Sequence, residues 1–275
     1  MTKDDVRRMA TSDGAILVDS ARLANAADRY ALSALAMQSG MPFAAPRAAP
    51  PVAIFEPEFW AARGELEDVS GGRGAAWFIM AGGGWVLRHS RRGGFVGHLS
   101  TDGYLWAGEA RVRVFAEWRL LAELTARGLP VPAPIAARYV RRGFLYRCDL
   151  ITERIAGARP LSGALALAAL DECTWRSIGA TIARLHSAGA DHADLNAHNI
   201  LLDAAGRVSV IDFDRGRLRT ASSPGRPARW AARNLSRLHH SLAKIACHLP
   251  PERCSSAAWQ WLLTGYADAP AHVSA

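Results

Sequence analysis

The chain has 275 residues, half of them apolar, with four cysteines and a formal net charge of +8, enough for one large domain or two lobes with real cores. The cysteines, Cys148, Cys173, Cys247 and Cys254, are scattered without a CxxC pairing, which fits a reducing compartment and excludes a cysteine metal cluster. No run approaches the about 18 apolar residues that a membrane span needs, and the charged residues 1–10 lack the apolar segment of a signal peptide.

Residues 23–50 are rich in Ala and Pro and end in Ala-Pro-Arg-Ala-Ala-Pro-Pro51. They read as a linker or partly disordered insertion, which sets residues 1–54 apart as an N-terminal extension. Residues 70–89 read as a glycine-rich hairpin: Ser70-Gly-Gly-Arg-Gly74 leads in, residues 75–80 are strand-like, Gly82-Gly-Gly84 turns, and Trp85-Val-Leu-Arg88 runs back. Residues 109–127 form a helix with Ala110, Val114, Leu121 and Leu124 on one face and Glu117 in the middle of it. A carboxylate on an apolar stripe is costly unless a cation meets it. Glu109 and Glu123 lie off that face and are expected to be solvated. Gly128-Leu-Pro-Val-Pro-Ala-Pro134 breaks the helix. Residues 138–140 and 144–152 then read as two strands about an Arg-Arg-Gly turn, the second running into Glu153-Arg-Ile-Ala-Gly157, where a hinge between two lobes is placed.

Residues 172–188 carry Trp175, Ile178, Ile182 and Leu185 at helical spacing, and Gly189 ends that helix. A short loop follows, His192-Ala-Asp194-Leu-Asn-Ala-His-Asn199. Ile200, Leu201 and Leu202 begin a strand, Asp203-Ala-Ala-Gly206 turns, and residues 208–211 return to Asp212-Phe-Asp214. The hairpin brings Asn199 and Asp212 side by side. Residue types, spacing and strand context together give the layout of a phosphotransfer site of the protein-kinase type. Asp194 would accept the proton of an attacking hydroxyl. Asn199 and Asp212 would hold Mg²⁺, a hard cation that wants oxygen ligands, against the phosphates of ATP.

That assignment gives roles to the upstream pieces. Glycines in the hairpin let backbone N–H groups approach phosphate oxygens, which makes Gly72, Arg73 and Gly74 candidate nucleotide contacts. The strand after the turn should end in a cation for the α- and β-phosphates. The chain has only two lysines, Lys3 and Lys244, and neither is placed for it. Arg88 stands at the corresponding position, can bind phosphate bidentately, and is expected to pair with Glu117. The hinge backbone at Glu153 would meet the adenine. Downstream, residues 215–249 contain no Asp or Glu but hold Arg215, Arg217, Arg219, Arg226, Arg229, Arg233, Arg237 and Lys244. Their helix places Leu235, Leu238, Leu242 and Ile245 on one face, with Arg233, Arg237 and Lys244 on another. This is either a solvated face or a surface for an anionic partner. Trp230 is its only aromatic, so nucleic acid, which calls for interleaved stacking rings, is the weakest partner.

Gly71-Gly-Arg-Gly74, Leu87-Arg-His89 with Arg91-Arg-Gly-Gly94, Gly128-Leu-Pro-Val-Pro132, the loop from His192 to Asn199 and Ile211-Asp-Phe-Asp-Arg-Gly216 together resemble the 3-deoxy-D-manno-octulosonic acid (Kdo) kinases of the lipopolysaccharide kinase family. The resemblance spans roughly residues 55–266. It implies an α+β, bilobal protein-kinase-like fold: a small, mainly β N-lobe with one key helix over residues 55–153, a mainly helical C-lobe over residues 154–267, and a tail from 268 to 275. It also implies ATP-dependent phosphorylation of the 4-hydroxyl of Kdo on a lipid A precursor, at the cytoplasmic face of an inner membrane, with peripheral attachment to its anionic surface. No nucleic acid and no obligate protein partner are inferred. Against eukaryotic protein kinases, Arg88 replaces lysine, Asp214 replaces the glycine after Phe213, Asn196 replaces the lysine after Asp194, and no Ala-Pro-Glu motif is found. These departures argue against a protein substrate. Two alternatives remain: a kinase for another core sugar such as heptose, or for an aminoglycoside; and a nucleotide-binding pseudokinase scaffold. The Arg-rich segment speaks against a cationic aminoglycoside, and the intact set of Asp194, Asn199 and Asp212 against a pseudokinase.

Overall fold

A computed structural model describes residues 6–23, 52–68, 76–80, 83–90, 103–223 and 227–270. They divide into two units: unit 1, Met1–Arg119 with Ala133–Arg154, and unit 2, Leu120–Pro132 with Ile155–Ala275. The Ala/Pro-rich stretch at 24–51 and the tail at 271–275 lie outside the described residues, as do Gly72, Arg73 and Gly74.

Unit 1 is built on one antiparallel sheet of β1 (Val6–Ala10), β2 (Gly14–Asp19), β3 (Leu66–Asp68), β4 (Ala76–Ile79), β5 (Trp85–His89), β6 (Tyr104–Leu105), β7 (Pro134–Arg142) and β8 (Leu145–Glu153). Their order is β1-β2-β7-β8-β5-β4-β3, with β6 also pairing with β8. In the central β7 the six residues from Pro134 to Tyr139 are all buried, the signature of a strand covered on both faces. In β5 burial alternates, Trp85 and Leu87 inward and Val86 and Arg88 less so, because successive side chains leave opposite faces of the pleat. Ile16, Val18, Ile79, Trp85, Leu87 and Ile151 pack with Phe55 and with Trp60 of the short helix α1 (Pro57–Ala61). Trp60 meets Trp85 edge-on, centroids 5.8 Å apart.

The expectation that residues 1–54 form a separate extension is corrected here. β2 pairs with β7 along Gly14–Val18, so the N-terminal hairpin is part of the sheet. The apolar run Ala15-Ile-Leu-Val18 is fully buried in it. A further difference is that Leu120–Pro132 belongs with unit 2 although it precedes the hinge in sequence. The helix α2 (Arg113–Ala126) buries Val114, Leu121 and Leu124 as expected, and also Phe115, Trp118 and Leu120. Ala110 is not on that face: it lies in a 3-10 turn, Glu109–Arg111, and is exposed. Nor is Glu109 merely solvated. Its carboxylate takes Arg8 Nε at 2.6 Å and the Tyr139 hydroxyl at 2.9 Å. Glu123 is exposed as expected and faces Arg127 one turn on.

Unit 2 is mainly helical: α3 (Leu161–Leu167), α4 (Glu172–Ser187), α5 (Arg229–Ala246) and α6 (Ser256–Asp268). Asp171 caps α4 by accepting the Thr174 N–H at 2.8 Å, which satisfies one orphan donor of its first turn. Trp175, Ile178, Ile182 and Leu185 are all buried, and Gly189 at φ 81° ends the helix. Two glycines set how closely α4 meets α6. A Cβ at Gly179 would run into the Leu262 carbonyl, and one at Gly265 into the Arg176 carbonyl. The helices therefore touch backbone to backbone, and any side chain there would push them apart. His186 Nδ1 and the Tyr266 hydroxyl, 2.8 Å apart, join the same two helices in the interior. Two small sheets complete the unit. β11 (Ile200–Leu202) pairs with β12 (Val208–Val210) and with β9 (Arg159–Pro160), and β10 (Ala190–Asp191) pairs with β13 (Arg217–Leu218).

Candidate active site

In unit 1, Arg88 at the end of β5 meets Glu117 of α2. One guanidinium nitrogen lies 2.5 Å from both carboxylate oxygens. Glu117 is buried, and the Arg88 side chain keeps about a quarter of its surface exposed. The carboxylate thus orients a cation that still reaches the surface, which is what a phosphate-holding arginine needs. Glu153 ends β8, opposite Trp85. Its N–H is taken by the Ala133 carbonyl at 2.8 Å, and its carboxylate lies 3.3 Å from Arg22. Glu153 is therefore fixed from both sides within unit 1.

In unit 2, Asp194 and Asn199 sit on the loop between β10 and β11, and Asp212 follows β12. The loop folds on its own amides. Asn196 Nδ2 and Asn199 Nδ2 both donate to the Asp194 carbonyl, at 2.9 and 3.0 Å. That orientation of the Asn199 amide leaves its Oδ1 as the oxygen to offer a cation. The Asn199 carbonyl accepts the Ile211 N–H at 2.9 Å. The two sequence-distant candidates, Asn199 and Asp212, are thereby tied through the residue next to Asp212.

His192 locks this arrangement. Its Nδ1 accepts the Asp194 N–H at 3.1 Å, so its Nε2 is the protonated nitrogen and donates to the Ile211 carbonyl at 2.9 Å. Burial pushes its pKa down, consistent with a neutral ring using both nitrogens. The ring packs on Phe213 with centroids 4.6 Å apart, and Phe213 is fully buried. Asp212 lies between the clamped Ile211 and the buried Phe213, at φ 64°. A non-glycine residue in the left-handed region costs of order 1 kcal/mol and persists only where its neighbours impose it. Here both do, so the backbone at Asp212 is held in place by its two neighbours.

A second tier of residues holds the loop from α5. The Asn234 side chain accepts the His192 N–H at 3.0 Å and donates to Asp191 at 3.1 Å, and Asp191 also takes Arg219 Nε at 2.9 Å. Two turns along, Ser241 Oγ accepts the Ala197 N–H at 3.2 Å. Arg237, between them, places Nε 2.6 Å from Asp194 Oδ1. The apolar face expected for this helix is present: Leu235, Leu238 and Leu242 are buried and Ile245 is partly so, while Arg233, Arg237 and Lys244 are exposed. The contacts of Asn234, Ser241 and Arg237 with the loop were missed. Asn234 carried the same signal as Glu117, a polar residue beside a buried stripe. Beside Asp194 opens a cavity of about 1000 Å³ whose walls carry Arg215, Arg217, Arg233, Arg237 and Lys244. The basic segment thus lines an open depression beside Asp194.

A sequence model of the lipopolysaccharide kinase (Kdo/WaaP) family matches residues 57–266. The 3-deoxy-D-manno-octulosonic acid kinase of Xanthomonas campestris pv. campestris (strain B100) is 50% identical over 193 residues, covering 70% of this chain and 75% of that protein. The enzyme of the same name from Xylella fastidiosa (strain 9a5c) is 48% identical over 193 residues, with the same 70% and 75% coverage. Among solved structures, WaaP in complex with acyl carrier protein superposes with a TM-score of 0.49 and 18% identity, covering 77% of this chain and 83% of that one. On the family match and on half-identical relatives, the chain belongs to the lipopolysaccharide kinase (Kdo/WaaP) family and is a phosphotransferase acting on a hydroxyl group.

Proposed function

We propose that the chain transfers the γ-phosphoryl group of ATP to the 4-hydroxyl of Kdo carried on a lipid A precursor. The observation that carries the reading is the position of Asp194, on a loop pinned by hydrogen bonds to His192 and from Asn196, at the wall of a cavity lined with cations. A proton acceptor in a basic cavity suits an alcohol on an anionic molecule and disfavours a cationic acceptor such as an aminoglycoside. The relatives that share half the sequence are named for Kdo, which supports that sugar over another core sugar.

In this reading unit 1 is the nucleotide lobe and unit 2 the catalytic lobe. Arg88, oriented by Glu117, holds the α- and β-phosphates. Gly72, Arg73 and Gly74 would offer backbone N–H groups to phosphate oxygens, and the backbone at Glu153 would meet the adenine. Asp194 takes the proton of the acceptor hydroxyl as the new P–O bond forms and the bond to the ADP oxygen breaks. Asn199 Oδ1 and the Asp212 carboxylate would hold Mg²⁺, and the donor set fits: two hard oxygen ligands whose backbones are tied through Ile211. That ion, when bound, neutralises charge on the transferring phosphates. Among the described residues no helix is long and apolar enough to cross a membrane. Attachment to the cytoplasmic face of the inner membrane would rest on surface cations, each worth about 1 kcal/mol near anionic lipid.

The test is incubation with ATP, Mg²⁺ and Kdo-bearing lipid A precursor, followed by mass and fragment analysis. One added phosphate on the Kdo 4-position, absent with Asp194→Asn, is the expected result. Phosphate on a heptose or on lipid A, or Asp194→Asn retaining more than about a tenth of the wild-type rate, would overturn it.

A further inference from the structure

Asp194 does not stand ready in this structure. One of its two carboxylate oxygens, Oδ1, already accepts a hydrogen bond from Arg237, at 2.6 Å. The guanidinium stands where an acceptor hydroxyl would otherwise donate to that oxygen, so it competes with the hydroxyl for the carboxylate. The capped base therefore has to be uncapped, and the surroundings indicate how.

Three observations bear on this. First, both partners are solvent-exposed, with side-chain exposures of 58% for Arg237 and 50% for Asp194. Such a pair is worth under about 1 kcal/mol and is readily exchanged. Second, Arg237 lies one turn from both Asn234 and Ser241, which fix the loop to α5. Its guanidinium can turn away by a change of rotamer while the loop stays where it is. Third, the cavity wall carries two carboxylates, Asp191 and Asp194, against Arg215, Arg217, Arg233 and Lys244. Asp191 is already engaged by Arg219 and Asn234. Any anionic group entering the cavity meets an excess of cations and competes with Asp194 for Arg237.

We propose that Arg237 is a positioning residue that caps Asp194 in the free protein and transfers its hydrogen bonds to an anionic group of the bound acceptor, so that the base is released only when an acid-bearing acceptor is in place. The inference rests on the reading of Asp194 as the base. It names the acceptor's recognised feature as a carboxylate or phosphate within reach of Arg237. It also gives the site a means of discriminating against water: water occupies the cavity without offering Arg237 a charged partner, so ATP hydrolysis is slowed in the absence of acceptor, by up to about fivefold.

The experiment measures ATP hydrolysis without acceptor and phosphoryl transfer with it, for the wild type, Arg237→Gln, Arg237→Lys, Asp194→Asn and the double variant Arg237→Gln with Asp194→Asn. Arg237→Gln is expected to raise acceptor-free hydrolysis about two- to fivefold, the most that a weak exposed pair can hold back, and to raise the acceptor KM by at least as much, with kcat changed less. The double variant should lose the added hydrolysis, and Arg237→Lys should restore most of the acceptor KM. Two altered acceptors identify the anion: one with its sugar carboxylate esterified and its phosphates kept, one with its phosphates removed and its carboxylate kept. The wild type should discriminate against one of them, and Arg237→Gln should not. If Arg237→Gln leaves hydrolysis unchanged or lowers it in step with transfer, or if the gain persists without Asp194, or if neither altered acceptor separates wild type from variant, the proposal fails. If instead Asp194→Asn itself transfers phosphate at near the wild-type rate, it is the base assignment that fails.

Discussion

Asn234→Ala should damage catalysis more than any other change to a residue that touches no substrate. Asn234 is buried, and its amide satisfies the His192 N–H at 3.0 Å and one oxygen of Asp191 at 3.1 Å. Truncation orphans both. An unsatisfied buried polar group costs about 1–3 kcal/mol. Asp191 falls at the lower end because Arg219 remains on its other oxygen at 2.9 Å. The sum is about 2–4 kcal/mol, a fall in the melting temperature on the order of 10 °C for a unit of this size. Released from α5, the loop no longer presents Asp194 at a fixed place, and a displacement of about 1 Å can cost about 10²-fold in rate. Asn234→Asp sharpens the test. It keeps an acceptor for the His192 N–H but sets a second carboxylate against Asp191, so it should be at least as damaging as alanine despite its near-identical shape. Differential scanning fluorimetry with steady-state kinetics reads both effects, and the KM for ATP should hold within about twofold. If both variants keep the wild-type melting temperature and kcat, the bonds from α5 do not position the loop.

A double-mutant cycle over Arg88→Ala and Glu117→Ala, read as kcat/KM for ATP, should give a coupling above about 1 kcal/mol, since the two are in direct contact; a value within the additivity error of about 0.5 kcal/mol would separate them. Asp212→Ala should abolish Mg²⁺-dependent ATP binding by calorimetry and Asn199→Ala should weaken it less, whereas a larger loss from Asp214→Ala would mean that Asp214 is the metal carboxylate. Burial lowers the His186 pKa to about 4. Its contribution is therefore complete above about 6.5 and is lost as pH falls toward 4, when the unfolded chain takes up a proton that the folded one refuses. The loss approaches about 3 kcal/mol, and His186→Gln should flatten that part of a denaturation series run from pH 7 to 4. Arg233→Glu with Lys244→Glu should raise the KM for lipid-borne acceptor and loosen sedimentation with anionic vesicles while sparing the KM for ATP; unchanged sedimentation would leave these cations a role in the cavity only.

The parts of the candidate site that were legible in the sequence are local or stoichiometric. Asp194, Asn199 and Asp212 lie within twenty positions of one another, and a hairpin with a clear turn joins them. The Arg88–Glu117 contact followed from a shortage, since a buried acid needed a cation and neither of the two lysines was placed to supply it. What stayed hidden depends on long-range packing. Asn234, Ser241 and Arg237 reach the loop from some forty residues downstream. A helical pattern shows which face is apolar but not which polar residue at its border meets which backbone. The N-terminal hairpin was obscured for another reason. Ala15-Ile-Leu-Val18 is a recognisable buried strand, but the pairing that joins it and β1 to the rest of the sheet is with β7, more than a hundred residues away, while the Ala/Pro-rich stretch follows it in sequence.

The backbone-to-backbone seam between α4 and α6 bears on when this protein becomes active during its own synthesis. By Asp214 the ribosome has already made every residue assigned to the chemistry. The loop that carries them still lacks α5, which pins it, and α4 lacks the partner that fits Gly179 and covers His186. Units of this kind fold as wholes once their last element has emerged. A nascent chain stopped before Ser256 would hold the complete motif and no working site. Phosphoryl transfer is thus deferred until α6 has been made, and a frameshift or stop ahead of Ser256 yields a silent protein rather than a weakened one.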